Sequence, residues 1–384
     1  MRTNISTSFT HIDPAAWDAL DAGGAPFLRH AFLAALESTG CVGGATGWEP
    51  APILLHDEHG LAAAAPAYIK SHSFGEFVFD FSWAQAYAQH GLAYYPKLVI
   101  GVPFTPATAP RLLVRPGVDP VVARTALIAS LQDFAAARGL SSIHGLFVSD
   151  DDRQAFANAG WTPRFDVQFH WANQGYRDFE HYLEGFTTKF RKNVRRERRR
   201  VTEAGLTCET LLGPELDRRG IDEVYDLHRD TFLRHGHEPY LTRAFFRALP
   251  GALGEHLMIK RARLGDDTVA AAVFYWNRAA LYGRYWGTNE QFHSLHFELC
   301  YHQGIDFCIE RGISRFEPGT QGEHKVSRGF VPRRTWSMHW IVDPRFRAAI
   351  GDYLRREGAH MDEYAREIQK HVPYRDARRE ARSK

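Results

Sequence analysis

Two stretches of this chain recur at a nearly fixed distance, and that recurrence restricts the fold more than any single motif. Arg138-Gly139-Leu140-Ser141 returns as Arg311-Gly312-Ile313-Ser314, 173 positions later. Ala159-Gly160-Trp161-Thr162-Pro163-Arg164 leads to His170-Trp171 as Arg328-Gly329-Phe330-Val331-Pro332-Arg333 leads to His339-Trp340, 169 positions later. Two different matches at almost one offset argue for two copies of one supersecondary plan. A chain of 384 residues has room for two domains, expected over 1–171 and 172–384.

Each copy reads as mixed α/β with antiparallel hairpins and one βαβ crossover. In the first, a helix is expected over 27–38, strands over 52–56 and 61–72, and short strands over 98–103 and 111–115. Val121, Leu127, Ile128, Leu131 and Phe134 then set a 3.6-residue rhythm over 120–138, which Gly139 ends. A strand over 142–148, a short helix over 151–159 and a strand over 165–171 follow. In the second copy, helices are expected over 179–204, 221–235 and 242–249, and a hairpin over 255–263 and 268–277. Next come a strand over 280–286, a central helix over 297–311, strands over 314–317 and 335–342, and one or two closing helices over 343–369.

Charge is sharply localised. The formal net charge is +2, yet Lys189–Arg200 holds eight cations against one acid, Glu197, so the remainder of the chain sums to −5. This is one cationic helix and not a generally basic nucleic-acid binder. Phe190, Val194 and Val201 share one helical face, beside a stripe of Arg191, Arg195, Arg198 and Thr202. The apolar stripe is expected to dock and the arginines to be presented to phosphates. Cys41, Cys208, Cys300 and Cys308 form no CxxC pair and read as small buried side chains, with no metal site. The N-terminus has no apolar core of signal-peptide length, and no run of about 18 apolar residues occurs. A cytoplasmic location is expected, with peripheral contact at the inner face of the membrane left open. Disorder is expected only in the basic tail, 375–384.

Polar groups in 281–330 stand where a purely structural core would be apolar. Arg284 interrupts the aromatic strand Tyr282-Gly283-Arg284-Tyr285-Trp286, Glu298 and His302 share the central helix, and Glu317 ends the next strand. Gly319 and Gly322 frame a loop delivering Glu323, His324 and Lys325. Ionisable groups converging at strand ends are costly unless paired or used.

KFRKNVRRERRRVTEAGL resembles the arginine-rich helix that opens the second half of FemAB-type transferases. PYLTRAFFRAL, ALYGRYWG, LHFELCYHQGIDFCIERG and FEPGTQGEHKVSRGFVP resemble the FemAB-like predicted N-acyltransferases, many of which carry a peptidoglycan-biosynthesis label; FDFSWAQAY and YYPKLVIGVPFTP fit the same family. The resemblance covers nearly the whole chain. It implies an α/β fold of two tandem GNAT-like domains with a mixed sheet, and transfer of an acyl group to a primary amine. Ordinary GNAT enzymes hold the CoA pyrophosphate in a Q/R-x-x-G-x-G/A loop. The corresponding Gly287–His296 lacks that glycine pair, so the donor stays open among acyl-CoA, an acyl carrier protein and aminoacyl-tRNA. The implied acceptor is an amino sugar, a cell-wall peptide or a long-chain amino alcohol of the sphingoid type. No permanently bound cofactor is implied, only acyl-CoA or acyl carrier protein as co-substrate.

Such a reaction needs a base for the amine proton and donors for the oxyanion. Glu317 is the first candidate base, against a plain salt bridge to Lys325 or Arg328, and His324 is the alternative base. Arg284 either anchors a reactant by bidentate pairing or pairs with Glu298. Arg191, Lys192, Arg195 and His296 are candidates for holding the donor, with His296 otherwise a cap or surface residue. Tyr282, Tyr285, Glu298, Lys325 and Arg328 are candidates for the substrate, the tyrosines otherwise being core. Asp80 and Trp83 of the first copy are placed in a cleft between copies, or in packing there. A rival of another class is a non-catalytic RNA or anionic-lipid binder using Lys189–Arg200, with no need of Glu317, His324 or Arg284.

Overall fold

The computed structural model describes residues 1–290, 292–320 and 322–375, so all of the basic tail except Arg375 lies outside the described residues. It forms two compact units, one of 1–166 with 334–362, the other of 167–333 with the chain from 363 onward.

In the first unit lie β1 (Arg2–Ile5), β2 (Trp48–Pro50), β3 (Ile53–Asp57), β4 (Gly60–Ala65), β5 (Ala67–Lys70), β6 (Lys97–Ile100), β7 (Leu113–Val114) and β8 (Ser142–Leu146), followed by the start of β9 (Thr162–Ala172). One sheet runs β1-β3-β4-β7; in the other, β8, β6, β5 and β2 are successive neighbours. β6 and β8 are parallel, with Leu98 opposite Ile143, so a crossover must join them. The helix Pro120–Ala137 supplies it, burying Leu127, Ile128 and Leu131. Its start is chemically marked: the Asp119 carboxylate accepts from the Val121 and Val122 amides at 2.9 and 3.2 Å, and Pro120 occupies a first-turn position where no donor is needed.

In the second unit lie β10 (Leu206–Leu212), β11 (Leu257–Leu264), β12 (Asp267–Trp276), β13 (Ala280–Thr288), β14 (Arg315–Glu317) and the start of β15 (Val331–Ile341). Their order is β10-β11-β12-β13-β14, with the end of β9 next to β14. β13 and β14 are parallel, and the central helix is their crossover. The same order, parallel strand, helix, strand, short helix, strand, therefore runs through 97–172 and 280–341.

The last strand of each copy is exchanged. β14 pairs with the end of β9, Phe316 opposite Trp171, while β8 pairs with the end of β15, His144 opposite His339. This moves the division from 171/172 to 166/167 and assigns 334–362 to the first unit. Several elements differ from expectation: β1, β2 and the helix Pro14–Asp18 were not expected, and the strand expected over 61–72 is two, β4 and β5. The helix expected over 179–204 is two, Phe179–Glu184 and Thr188–Glu203, broken at Gly185-Phe186-Thr187. Neither the half-exposed β10 nor the helix Phe81–Gln89 was anticipated.

Candidate active site

In the second unit the parallel pair β13 and β14 ends unevenly, at the C-terminal strand ends where α/β sheets bind ligands. β14 stops at Glu317, while β13 runs on to Thr288. The register of β13 on β12 slips between Val273 and Phe274, leaving Arg284 as the extra residue of a bulge. Such bulges re-aim side chains beside functional sites. Gly283 lies so near the Pro318 backbone that a Cβ would stand 3.1 Å from it.

Glu317 is buried with its carboxylate 2.8 Å from the Arg315 guanidinium, so its salt bridge is to Arg315 and not to Lys325 or Arg328. Tyr282 is its neighbour across β13. Continuing the β14–β9 register, in which Phe316 faces Trp171, puts His170 opposite Glu317 on the other side. His170 is buried, with Nε2 3.1 Å from Gln168 Oε1. Burial lowers its pKa, the charge of Glu317 opposes that, and Arg315, Arg333 and Lys325 add to the lowering. The sequence offered His170 only as a landmark of the repeat.

The loop 318–330 brings the other groups. Lys325 is buried and donates from Nζ to the Gly319 carbonyl at 2.8 Å; burial lowers its pKa to about 8, against a smaller opposing pull from Cys300. His324 Nε2 lies 2.8 Å from Tyr301 Oη. Burial, reinforced by Lys325 and Arg328, lowers the His324 pKa. His296 sits among Trp286, Tyr301 and His324, with ring centroids 5.1, 5.4 and 5.9 Å away. Burial, then the charges of His324, Arg328 and Lys325, lowers it to about 4, so it is neither cap nor surface residue. Both imidazoles are therefore neutral near pH 7. Tyr301 reaches them from an irregularity that no periodicity discloses: the central helix is α over Leu295–Phe297, π over Glu298–His302 and α over Gln303–Arg311. Single π turns are frequent at functional sites.

Several expected ligand contacts are occupied within the protein. Glu298 is buried, 3.2 Å from Arg198 Nη2, and accepts from Gln303 at 2.7 Å, so the pairing with Arg284 is not formed. Arg284 instead lies 5.4 Å from the Tyr285 ring. Arg328 is buried, donates twice to Glu197 at 3.0 and 2.5 Å, and lies 3.4 Å above the Phe297 ring. Its Nη1 donates further to the His324 carbonyl at 2.6 Å, so most of its donors are engaged within the protein. Tyr285 is core, against His228 and Phe246.

The basic helix docks as its pattern requires, with Val194 and Val201 buried and Phe190 packed against the same core. Glu197, the single acid of the run, also accepts from His302 at 3.0 Å, and so pins the helix from beneath. Arg198 is not presented: it bonds Asp306 at 2.6 Å and stacks on Phe179. Arg195 is exposed and paired with Glu180. Lys189, Lys192 and Arg196 are exposed, and Arg191 is half-buried.

Asp80 and Trp83 belong to the first unit, and both are buried in it. Asp80 holds Lys97 at 2.5 Å and accepts from Tyr94 at 2.5 Å; burial opposes its ionisation, but Lys97 prevails and brings its pKa to about 2. Trp83 packs edge-on against His339, 4.9 Å away. His144 and His339 share a 2.7 Å hydrogen bond. By the offsets of the repeat, 173 and 169, they occupy the places of Glu317 and His170.

Residues 8–376 match a family model described as FemAB-like, peptidoglycan biosynthesis/recognition. No curated protein matches the chain. Among solved structures it is similar to FemX, at 13% identity over 91% of this chain and 100% of that one, with a TM-score of 0.54. A conserved protein of unknown function from Bacteroides thetaiotaomicron is similar at 12% identity, over 88% and 100%, with a TM-score of 0.54. The C-terminal domain of a putative lysylphosphatidylglycerol synthetase from Agrobacterium fabrum is similar at 11% identity, over 80% and 89%, with a TM-score of 0.50. At these identities the likeness is one of fold.

Proposed function

The chain belongs to the FemAB-like family, and from that membership we propose that it is an N-acyltransferase, moving an acyl group from an activated thioester to a primary amine. The observation that carries this reading is the buried Glu317 at the end of the parallel pair, with His170 facing it and the Lys325 loop close by. The amine nitrogen attacks the acyl carbon and a C–N bond forms. Glu317 takes the proton that the nitrogen loses, and His170 shares the resulting charge change. Lys325, cationic below about pH 8, draws the developing oxyanion. The C–S bond breaks, and the thiolate leaves with a proton relayed through Tyr301 and His324. Arg284, turned by its bulge, orients a reactant. Arg191 and Lys192 hold the donor's phosphates.

The acceptor classes are an amino sugar, a cell-wall peptide amine and a long-chain amino alcohol. The exposed cations of the basic helix favour one second reading, an aminoacyl ester carried on tRNA. The test incubates the purified chain with acyl-CoA, acyl carrier protein or aminoacyl-tRNA and one amine of each class, and follows amide formation by mass spectrometry. Amide from a thioester donor, lost in Glu317→Gln, supports the reading. Amide only from aminoacyl-tRNA selects the second, and none from any pairing overturns both.

A further inference from the structure

We propose that Phe74, Phe79 and Phe81, in the first unit, form a membrane-docking surface that inserts into the headgroup–acyl boundary of a lipid bilayer. The three side chains are 68%, 53% and 44% exposed. They also touch one another: Phe81 lies 5.6 Å from Phe74 and 6.2 Å from Phe79 between ring centroids. Exposed large apolar side chains usually occur singly, whereas a contiguous cluster marks an interaction site.

The strap that carries the rings turns its own charges inward. Across 71–93 the charged residues are Glu76 and Asp80, and both are turned inward onto the fully buried Lys97, at 2.8 and 2.5 Å. Leu92, 40% exposed, lies in the same stretch. These inward ion pairs alternate along the chain with the outward rings, so the strap is fastened at two points. Arg164 fastens a third, donating to the Phe79 carbonyl at 2.8 Å. The rings are thus held out on a fixed base, which spares the ordering cost that a mobile loop would incur on insertion.

Area decides between a bilayer and a protein partner. At about 200 Å² per phenylalanine the three rings offer roughly 330 Å². A stable protein interface takes about 800 Å² from each partner. A bilayer sets no such minimum, since a few aromatic side chains at headgroup depth suffice for reversible attachment. Among the described residues no helix is long and apolar enough to cross a membrane. This inference does not depend on the transferase reading.

The experiment is flotation of the full chain with phosphatidylcholine vesicles, with and without phosphatidylglycerol, at low and high salt. The wild type is compared with F74S/F79S/F81S and with R191A/K192A, and all three are checked by thermal melting. The wild type should float with both vesicle types and keep floating at high salt. The triple serine variant should melt normally and bind about a hundredfold less. Should that variant misfold, the single Phe74→Ser, at the most exposed ring, still has to weaken binding. The proposal falls if the wild type does not float, or if binding needs phosphatidylglycerol, vanishes at high salt and is lost in R191A/K192A. It falls equally if sedimentation velocity finds a dimer that F74S/F79S/F81S dissolves.

Discussion

Lys325 and Glu317 sit in one unit under opposite demands. Lys325 is buried and donates to the Gly319 carbonyl, and burial lowers its pKa from 10.5 to about 8. Between those values the unfolded chain binds the more protons, and stability therefore rises with pH across that window. Lys325→Met should be more stable than wild type at pH 7.5, and the gap should narrow toward pH 10 by roughly 3 kcal/mol, at about 1.4 kcal/mol per unit; urea titrations at the two pH values measure it. If the ammonium draws the oxyanion, kcat/KM should also fall above about pH 8, and Lys325→Arg, which keeps its charge, should move that limb upward. Glu317→Gln keeps the size and hydrogen bonding of a side chain already tied to Arg315, so melting should shift little while kcat falls about 10²- to 10⁴-fold. Near-normal turnover with early melting would make Glu317 an ion-pair partner alone and His324 the base. Glu317 stands out in the sequence because it breaks an apolar pattern at a strand end, and His324 and Lys325 because Gly319 and Gly322 frame the loop that carries them. His170 was not, because its place opposite Glu317 exists only once β9 is laid beside β14. Tyr301 looks like any core aromatic until the π turn aims it at His324.

The basic helix shows how one element can be read correctly in outline and wrongly in detail. Spacing alone identifies the docked stripe, because burial of Val194 and Val201 follows from helical geometry. It cannot say where long side chains go, and here they divide. Arg198 and Glu197 turn inward to partners on the central helix and the 318–330 loop, while Lys189, Lys192 and Arg196 face solvent. Two substitutions separate the halves. Glu197→Ala strands the buried Arg328 and His302 without their carboxylate and should cost about 3–5 kcal/mol, as breaking a buried pair does. R191A/K192A should leave the melting temperature near wild type, raise the donor KM and flatten its dependence on salt. A donor KM unmoved at both low and high salt would remove the helix from donor binding. Glu197 looks in the sequence like a slight dilution of the charge; in the fold it fastens the cationic helix to the 318–330 loop.

At the scale of the molecule, duplication accounts for 97–172 and 280–341, and exchange of their last strands accounts for the division into units. The repeat offsets are local pattern and therefore readable. The partner of a strand is not, since Phe165–Trp171 and Thr335–Val342 carry the same alternation whichever neighbour they take. The consequence is physical. β8 lies between β6 and β15, so a chain ending at 171 lacks β15 and leaves the backbone of β8 unpaired on that side. It also lacks Met338, which belongs to the core formed with Leu98, Ile143 and Phe156, and the helical segment whose Phe346 lies 3.9 Å from Tyr87. An unpaired apolar strand is an aggregation site. The fragment 1–171 should therefore be insoluble or molten, without cooperative unfolding. The fragment 1–166 joined by a flexible linker to 334–362 should fold, with one sharp urea transition and slow amide exchange in β8. If 1–171 alone unfolds cooperatively and protects β8, then β15 is dispensable and the exchange is ornament. Failure of both fragments would mean that neither division is a folding unit, and that the two copies fold only as one.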